Sequence, residues 1–225
     1  MYVFVKRVID ISLSMLALVL LLPLFFVVCI VLSVTGERDV FFFQKRVGYK
    51  NTIFDIWKFA TMQRNSANIG TGTLTLRNDP RVTPFGRILR MTKINELPQI
   101  INVLIGNMSI VGPRPLMIKD AERYPKDIKN QVYNVKPGIT GIGSIIFRDE
   151  EALVSNAEID PIEYYKNFIM PYKGALELWY QKNLSLKTDL AIIFLTAWAI
   201  LVPKSNLAFR IFSDLPKRDT FLQTN

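Results

Sequence analysis

The sequence contains no histidine and a single cysteine. The first absence removes a histidine base, a Ser-His-Asp triad and histidine metal ligands. Acid–base or metal chemistry therefore falls to Asp, Glu, Lys, Tyr or the one thiol. The second absence excludes an intramolecular disulfide. Cys29 lies in an apolar run, which fits a catalytic region in a reducing compartment. Internal repeats, a long low-complexity tract and a signal-peptide cleavage site are also lacking. Acidic residues are scarce, 19 against 28 Lys and Arg, giving a net charge of +9. Such a chain favours anionic partners: lipid head groups, phosphates, nucleotides or nucleic acid. No nucleic-acid-binding motif accompanies the charge, so nucleic acid is not expected as a partner.

Apolar residues are abundant, half of the 225 positions, and many lie near the N-terminus. Ile11 to Val34 carries no charge, with Lys6, Arg7 and Asp10 before it and Glu37 and Arg38 after it. Roughly 20 apolar residues cross a bilayer. Two geometries are open. One is a straight transmembrane helix, which length alone favours. The other is a helix that enters one leaflet, bends and returns. Pro23, near the middle, removes a backbone hydrogen bond and so favours a kink. Basic residues flank both ends (Lys6 and Arg7; then Arg38, Lys45 and Arg46), so the positive-inside rule gives no single orientation.

The remainder reads as a small mixed fold. Val40–Gln44 and Ile53–Phe59 are predicted strands of a hairpin turning through Gly48–Asn51. Asn65–Asn78, rich in Gly, Thr and Asn, is predicted to be a loop. Pro84–Ile105 is predicted to be helical in two pieces, and Leu116–Asn134 to be one helix. Between them Gly106–Pro115 is a rigid connector, and Lys136–Gly141 is a predicted turn. Asp160, Pro161 and Glu163 form a helix start, with Pro171 interrupting or restarting that helix. Ser185–Val202 is the last predicted helix. Its apolar part is too short to span, leaving core or an interfacial helix. Trp179, Tyr180 and Trp198 suit either a head-group boundary or aromatic core packing.

Several residues can carry chemistry. Arg77, Arg81, Arg87, Arg90 and Lys93 crowd into one stretch. Arg87 and Arg90 are spaced to share a helix face, which suits phosphate, or equally a solvated surface on anionic lipid. Asn95-Glu96-Leu97-Pro98 reads as a helix start, with Asn95 as N-cap. The same geometry offers free N–H groups to a phosphate, and a carboxylate there suits attack on phosphorus or Mg²⁺ binding. Arg114 stands between Pro113 and Pro115, which hold its backbone; its side chain is either a substrate contact or an exposed brace. Lys58 is another phosphate contact or an edge charge. Asp149-Glu150-Glu151 is a solvated acidic loop or a metal site.

Taken in order, these stretches resemble the monotopic phosphoglycosyl transferases, bacterial sugar transferases that start glycan assembly on undecaprenyl phosphate. The matching pieces are Lys6–Asp10, the Pro23-bearing helix, Phe43–Gly48, Lys58–Met62, Asp79–Thr83, Phe85–Arg90, Asn95–Gln99, Val111–Pro115 and Lys136–Gly141. Tyr180 to about Thr196 matches more weakly. The resemblance implies a UDP-sugar donor, undecaprenyl phosphate as acceptor, UMP as product and Mg²⁺ as cofactor. It also implies a re-entrant helix and a location on the cytoplasmic face of the bacterial inner membrane. The implied fold is α+β and predominantly helical. Residues 1–36 form a kinked re-entrant membrane helix, and residues 37–225 a cytoplasmic domain with a β-hairpin and interfacial helices. Carried over, the catalytic pair is Asn95 and Glu96, with Glu96 on the metal, and Lys58, Arg90 and Arg114 fall at phosphate and substrate positions. Arg87 joins them from its helical spacing. Three positions depart from the pattern: Asn95 for an aspartate that forms a phosphosugar intermediate, Ala60 for an arginine, and Asn107 for an aspartate. An amide is a very poor nucleophile, so that covalent step does not transfer. Two outcomes follow: an active transferase in which Glu96 is metal ligand, nucleophile or aid to direct attack, or a relative that binds lipid phosphate or a partner enzyme without turnover.

Overall fold

A computed structural model describes residues 1–64, 66, 79–155, 159–203 and 205–217. The loop expected over Asn65–Asn78 lies, Ser66 apart, outside the described residues.

The uncharged run forms the centre of helix α1, Tyr2–Val34, with Pro23 inside it. At about 1.5 Å per residue this helix is longer than the ~30 Å hydrocarbon core of a bilayer. Among the described residues it is the one helix long and apolar enough to cross a membrane, and only 11% of its apolar window is buried. It is therefore not a core helix. Its inward face, Asp10, Ser14, Val28 and Leu32, touches the rest of the chain at two separated places. Near the start, Tyr2 Oη and Lys6 Nζ donate to Asp189 Oδ2 at 2.9 and 2.8 Å. Arg7 donates to the carbonyls of Val103 and Leu104, and Asp10 Oδ1 accepts from Ile110 N at 3.0 Å. Near the end, Val28 and Leu32 pack with Phe59 and Leu89, and Phe25 meets Phe59 edge-on at 5.2 Å. Between these anchors Met15, Leu16, Val19, Leu20 and Leu22 are exposed.

The expected hairpin forms, its first strand running to Val47 rather than ending at Gln44. Strands β1 (Phe41–Val47) and β2 (Ile53–Phe59) pair antiparallel, Phe41 opposite Phe59 and Val47 opposite Ile53. Lys50 and Asn51 take positive φ in the turn. Next come α2 (Pro84–Met91), a 3-10 turn at Ile94–Glu96 and α3 (Gln99–Ile105). Asn102, fully buried on α3, completes the free edge of β2. Its Oδ1 accepts from Trp57 N and its Nδ2 donates to Asp55 O, at 2.9 and 2.8 Å.

The segment predicted as a turn at Lys136–Gly141 contains a strand instead. β3 (Ser109–Val111) pairs parallel with β4 (Gly138–Thr140), and the two glycine-bearing motifs lie against each other. A Cβ on Gly138 would stand 2.1 Å from Gly112 N, so only glycine permits this approach. The helix predicted over Leu116–Asn134 is two, α4 (Ile118–Ala121) and α5 (Lys126–Val132), because Pro125 cannot continue the first.

The short helices α6 (Ile142–Ile146) and α7 (Glu150–Ser155) follow. α8 (Pro161–Tyr164) starts where Asp160 accepts from Ile162 N and Glu163 N. A π-helical segment, Tyr165–Ile169, precedes α9 (Met170–Lys182), which has Pro171 in its first turn. α10 (Leu186–Leu201) is capped by Ser185, whose Oγ accepts from Thr188 N. A further short helix, α11 (Leu207–Ile211), then follows, so Ser185–Val202 is not the last. Trp179 and Tyr180 belong to the main hydrophobic core, whereas Trp198 is exposed.

Candidate active site

Glu96 stands where three elements converge. β2 brings Lys58, whose Nζ donates to Glu96 Oε1 at 3.0 Å. The connector after β3 brings Arg114, whose Nη2 donates to the same oxygen at 2.9 Å and Nη1 to Oε2 at 3.5 Å. The 3-10 turn presents Glu96 itself, after Lys93 takes a left-handed φ of 60°. The Lys58 and Glu96 side chains are 15% and 16% exposed, and Arg114 is 35% exposed. The site is thus recessed but open on the arginine side.

The electrostatics follow from crowding. Burial pushes the Glu96 carboxyl up, but the Arg114 and Lys58 charges and hydrogen bonds outweigh it and hold the group well below the usual carboxylate range. Burial pushes Lys58 down to about 8, against the pull of Glu96 and with the push of Arg114 and Arg46. Glu96 raises Arg114. Arg46 is pushed down to about 10, by burial first and by Arg114 second. Its guanidinium donates to Pro115 O at 3.2 Å and to Gln44 Oε1 at 2.5 Å, bracing the connector. Three cations around one carboxylate leave a local positive excess suited to phosphate oxygens.

The structure redistributes the other predicted residues. Asn95 is not a helix cap: α3 begins three residues after Glu96, behind Pro98, with no side-chain cap bond. Asn95 is 6% exposed, and its Oδ1 is buried without a hydrogen-bond partner. Of the basic cluster, Arg81 is committed to a buried, two-pronged ion pair with Asp79 and to Ser66 O. Arg87 is exposed on α2, and Arg90 is half-buried with Nη1 4.0 Å from Met62 Sδ. Arg77 lies outside the described residues. The acidic triplet is not a solvated loop throughout. Glu150 opens α7 and pairs at 2.5 Å with the buried Lys173 rather than with Glu96. Asp149 is exposed, and the Glu151 side chain lies outside the described part.

Sequence reasoning missed two contributors. Arg46 reads in the sequence only as a flanking charge and a motif member, although its position opposite Phe54 in the hairpin points it away from the exposed Lys45. The second is the floor of the site. Phe59, Leu89 and Ile94, the immediate neighbours of Lys58, Arg90 and Asn95, form one apolar cluster with Val28 and Leu32 of α1. The site is built directly on the second half of the apolar helix.

The family model for bacterial sugar transferases matches residues 1–203. A UDP-glucose:undecaprenyl-phosphate glucose-1-phosphate transferase from Klebsiella pneumoniae is 37% identical over 205 residues, covering 89% of this chain and 41% of the relative. An undecaprenyl-phosphate galactose phosphotransferase from Salmonella typhimurium is 33% identical over 212 residues, covering 88% of this chain and 40% of the relative. The exopolysaccharide production protein ExoY of Sinorhizobium fredii is 30% identical over 216 residues, covering 89% and 87%. The chain thus spans about two fifths of the length of the first two relatives. Matched over residues 1–203, from α1 through the connector to α10, the chain belongs to the bacterial sugar transferase family.

Proposed function

We propose that the chain transfers a sugar 1-phosphate from a UDP-sugar to undecaprenyl phosphate, giving a polyprenyl-diphosphate-linked sugar and UMP, and so initiates surface glycan assembly. The observation that carries this reading is the place of Glu96, Lys58 and Arg114 on the apolar cluster shared with α1. A membrane-seated phosphate site of this kind suits a lipid phosphate meeting a water-soluble nucleotide. The names of the relatives, which pair UDP-sugars with undecaprenyl phosphate, support the same chemistry.

In this reading an oxygen of the lipid phosphate attacks the sugar-bearing phosphorus of the donor. A new P–O–P link forms, the bond to the uridylyl phosphate oxygen breaks, and UMP leaves with that electron pair. Lys58 and Arg114 neutralise the phosphoryl oxygens. Glu96 stays ionised and keeps both cations aimed at one spot before substrate arrives. The Asn95 amide does not act as the nucleophile.

Magnesium is part of the proposal. Among the described residues no three His, Cys, Asp or Glu side chains gather to hold an ion. Mg²⁺ more often takes one or two protein oxygens and completes its shell with substrate phosphates and water. Glu96 fits that role, with the unpartnered Asn95 Oδ1 a weaker second oxygen. When bound, the ion would offset diphosphate charge.

The two anchored ends of α1, with an exposed apolar stretch between them, favour a helix that returns to the side it entered from. In this reading the site lies at the cytoplasmic face of the inner membrane, with residues 37–225 as the cytoplasmic domain. The exposed apolar side chains Leu190, Phe194 and Leu201 of α10 suit an interfacial helix.

A second reading, binding of lipid phosphate without turnover, is favoured by Asn95 alone. UMP release from a panel of UDP-sugars, with Mg²⁺ and undecaprenyl phosphate, decides between them. Turnover with at least one donor is expected; binding of the lipid phosphate with no turnover of any donor would establish the second reading.

A further inference from the structure

We infer that Tyr133, sealed in the core at the end of α5, is a positioning residue that fixes the direction in which Arg114 leaves the connector toward Glu96. The inference rests on the transferase reading of the site.

A buried tyrosine hydroxyl usually finds a hydrogen-bond partner. Tyr133 is 1% exposed, and its hydroxyl bonds twice to the backbone of the connector. Tyr133 Oη donates to Arg114 O at 3.1 Å and accepts from Leu116 N at 3.0 Å. The two groups straddle Pro115, which has no N–H of its own to offer. One phenol oxygen therefore bridges the residues on either side of the proline.

The consequence for Arg114 follows from peptide planarity. The direction of a side chain is set by the two rigid peptide planes that meet at its Cα. The flanking prolines fix their own φ, and Pro115 pushes Arg114 toward extended backbone, but neither fixes the φ of Arg114 itself. Hydrogen bonds supply what is missing. The plane before Arg114 is held through Pro113 O, which accepts from Gly138 N at 2.9 Å. The plane after it is held through Arg114 O by Tyr133. Farther on, Arg46 donates to Pro115 O at 3.2 Å and Val47 N to Leu116 O at 2.9 Å, tying the segment to β1. With both planes held, the Arg114 side chain has one exit direction, and its Nη2 meets Glu96 Oε1 at 2.9 Å.

Tyr133 is itself anchored. Its carbonyl accepts from Lys50 N of the hairpin turn at 2.7 Å. Gln181 of α9 donates to the carbonyls of Gln131 and Val132, at 2.6 and 2.7 Å, and so holds the end of α5. Burial pushes the pKa of the Tyr133 hydroxyl up, and the Leu116 N–H pulls against it without prevailing, so the donor to Arg114 O keeps its proton. Enclosed in the core, the phenol acts on substrate only through Arg114.

The test uses the full chain in lipid nanodiscs, with UMP release for turnover and inorganic pyrophosphate as the binding probe. Y133F keeps the ring and removes the bridging oxygen. It is expected to lower kcat about tenfold, with KM for the UDP-sugar changed by less than about threefold, and to weaken pyrophosphate about tenfold. In an R114A background the same change should alter pyrophosphate affinity by less than about twofold, because nothing is left to position. A merely structural loss would be equal in both backgrounds. Q181A, which frees the end of α5, should give a smaller loss of the same kind, about threefold, and it serves if Y133F does not fold. Wild-type turnover and pyrophosphate affinity in Y133F, or in Q181A where Y133F does not fold, overturn the inference. So does an equal loss with and without Arg114. If the wild type fails to turn over any donor yet Y133F weakens pyrophosphate only when Arg114 is present, the transferase reading falls and the positioning role stands.

Discussion

Glu96→Gln keeps the size of the side chain and removes its charge. In the wild type one oxygen takes hydrogen bonds from Lys58 and Arg114, at 3.0 and 2.9 Å, with the carboxylate side chain 16% exposed. Removing one partner of a fully buried ion pair costs about 3–5 kcal/mol. Residual exposure and the surviving amide oxygen bring this to about 2–3 kcal/mol, or about 4–12 °C in melting temperature for a chain of this size. The pH dependence has a definite sign. Burial opposes ionisation of Glu96, but Arg114 and Lys58 prevail and depress its pKa below the unfolded value of 4.5. A depressed carboxyl contributes stability that is present above the unfolded pKa and lost as pH falls through the folded one. The wild-type advantage over the variant is thus full above about pH 5 and shrinks in stronger acid. Turnover, read as UMP release at pH 7, is expected to fall about 10²-fold. Wild-type turnover in the variant would refute the site assignment. Equal melting curves at pH 7 would refute the electrostatic reasoning.

Lys58, pushed to about 8 chiefly by burial, should give kcat/KM an alkaline limb centred near pH 8; in Lys58→Arg that limb should move beyond pH 10, and an unmoved limb would assign it elsewhere. Asn95→Asp places a second carboxyl beside Glu96 at a position only 6% exposed. Stability should drop by about 1–3 kcal/mol as pH rises from 4 to 8 relative to wild type, measured by thermal melts; a constant difference would contradict it. Phe59→Ala removes a 1%-exposed ring lodged between α1 and the site. It should cost about 3–5 kcal/mol and raise KM for the lipid phosphate; an unchanged KM would separate the helix from the site.

Much of this fold is legible because some signals are local. The hairpin declares itself through two apolar runs on either side of the Gly48–Asn51 turn, and α8 through Asp160. The pairing of β3 with β4 is hidden because three-residue strands have no measurable period. It depends instead on Gly112 meeting Gly138, a contact between distant motifs that each read as loops. The break between α4 and α5 was available in Pro125. At the site, Lys58, Glu96 and Arg114 were legible as residue types within motifs, but their convergence on one oxygen was not. Asn95 looked like a cap because asparagine before a glutamate and a proline suits one; the left-handed Lys93 and the intervening 3-10 turn shift the helix start downstream. Lys173 and Glu177 have the spacing of an exposed helical ion pair. Both are buried, and Lys173 pairs with Glu150 instead.

The cluster joining Phe59, Leu89 and Ile94 to Val28 and Leu32 makes helix docking and ligand affinity two sides of one equilibrium. If substrate binds more tightly when the second half of α1 is docked, the helix must dock more tightly, by the same factor, when substrate is bound. With α1 seated in a bilayer as proposed, bilayer thickness and detergent become effectors of the phosphate site without touching it. If the proposed lipid phosphate is that substrate, its binding stiffens the attachment of α1.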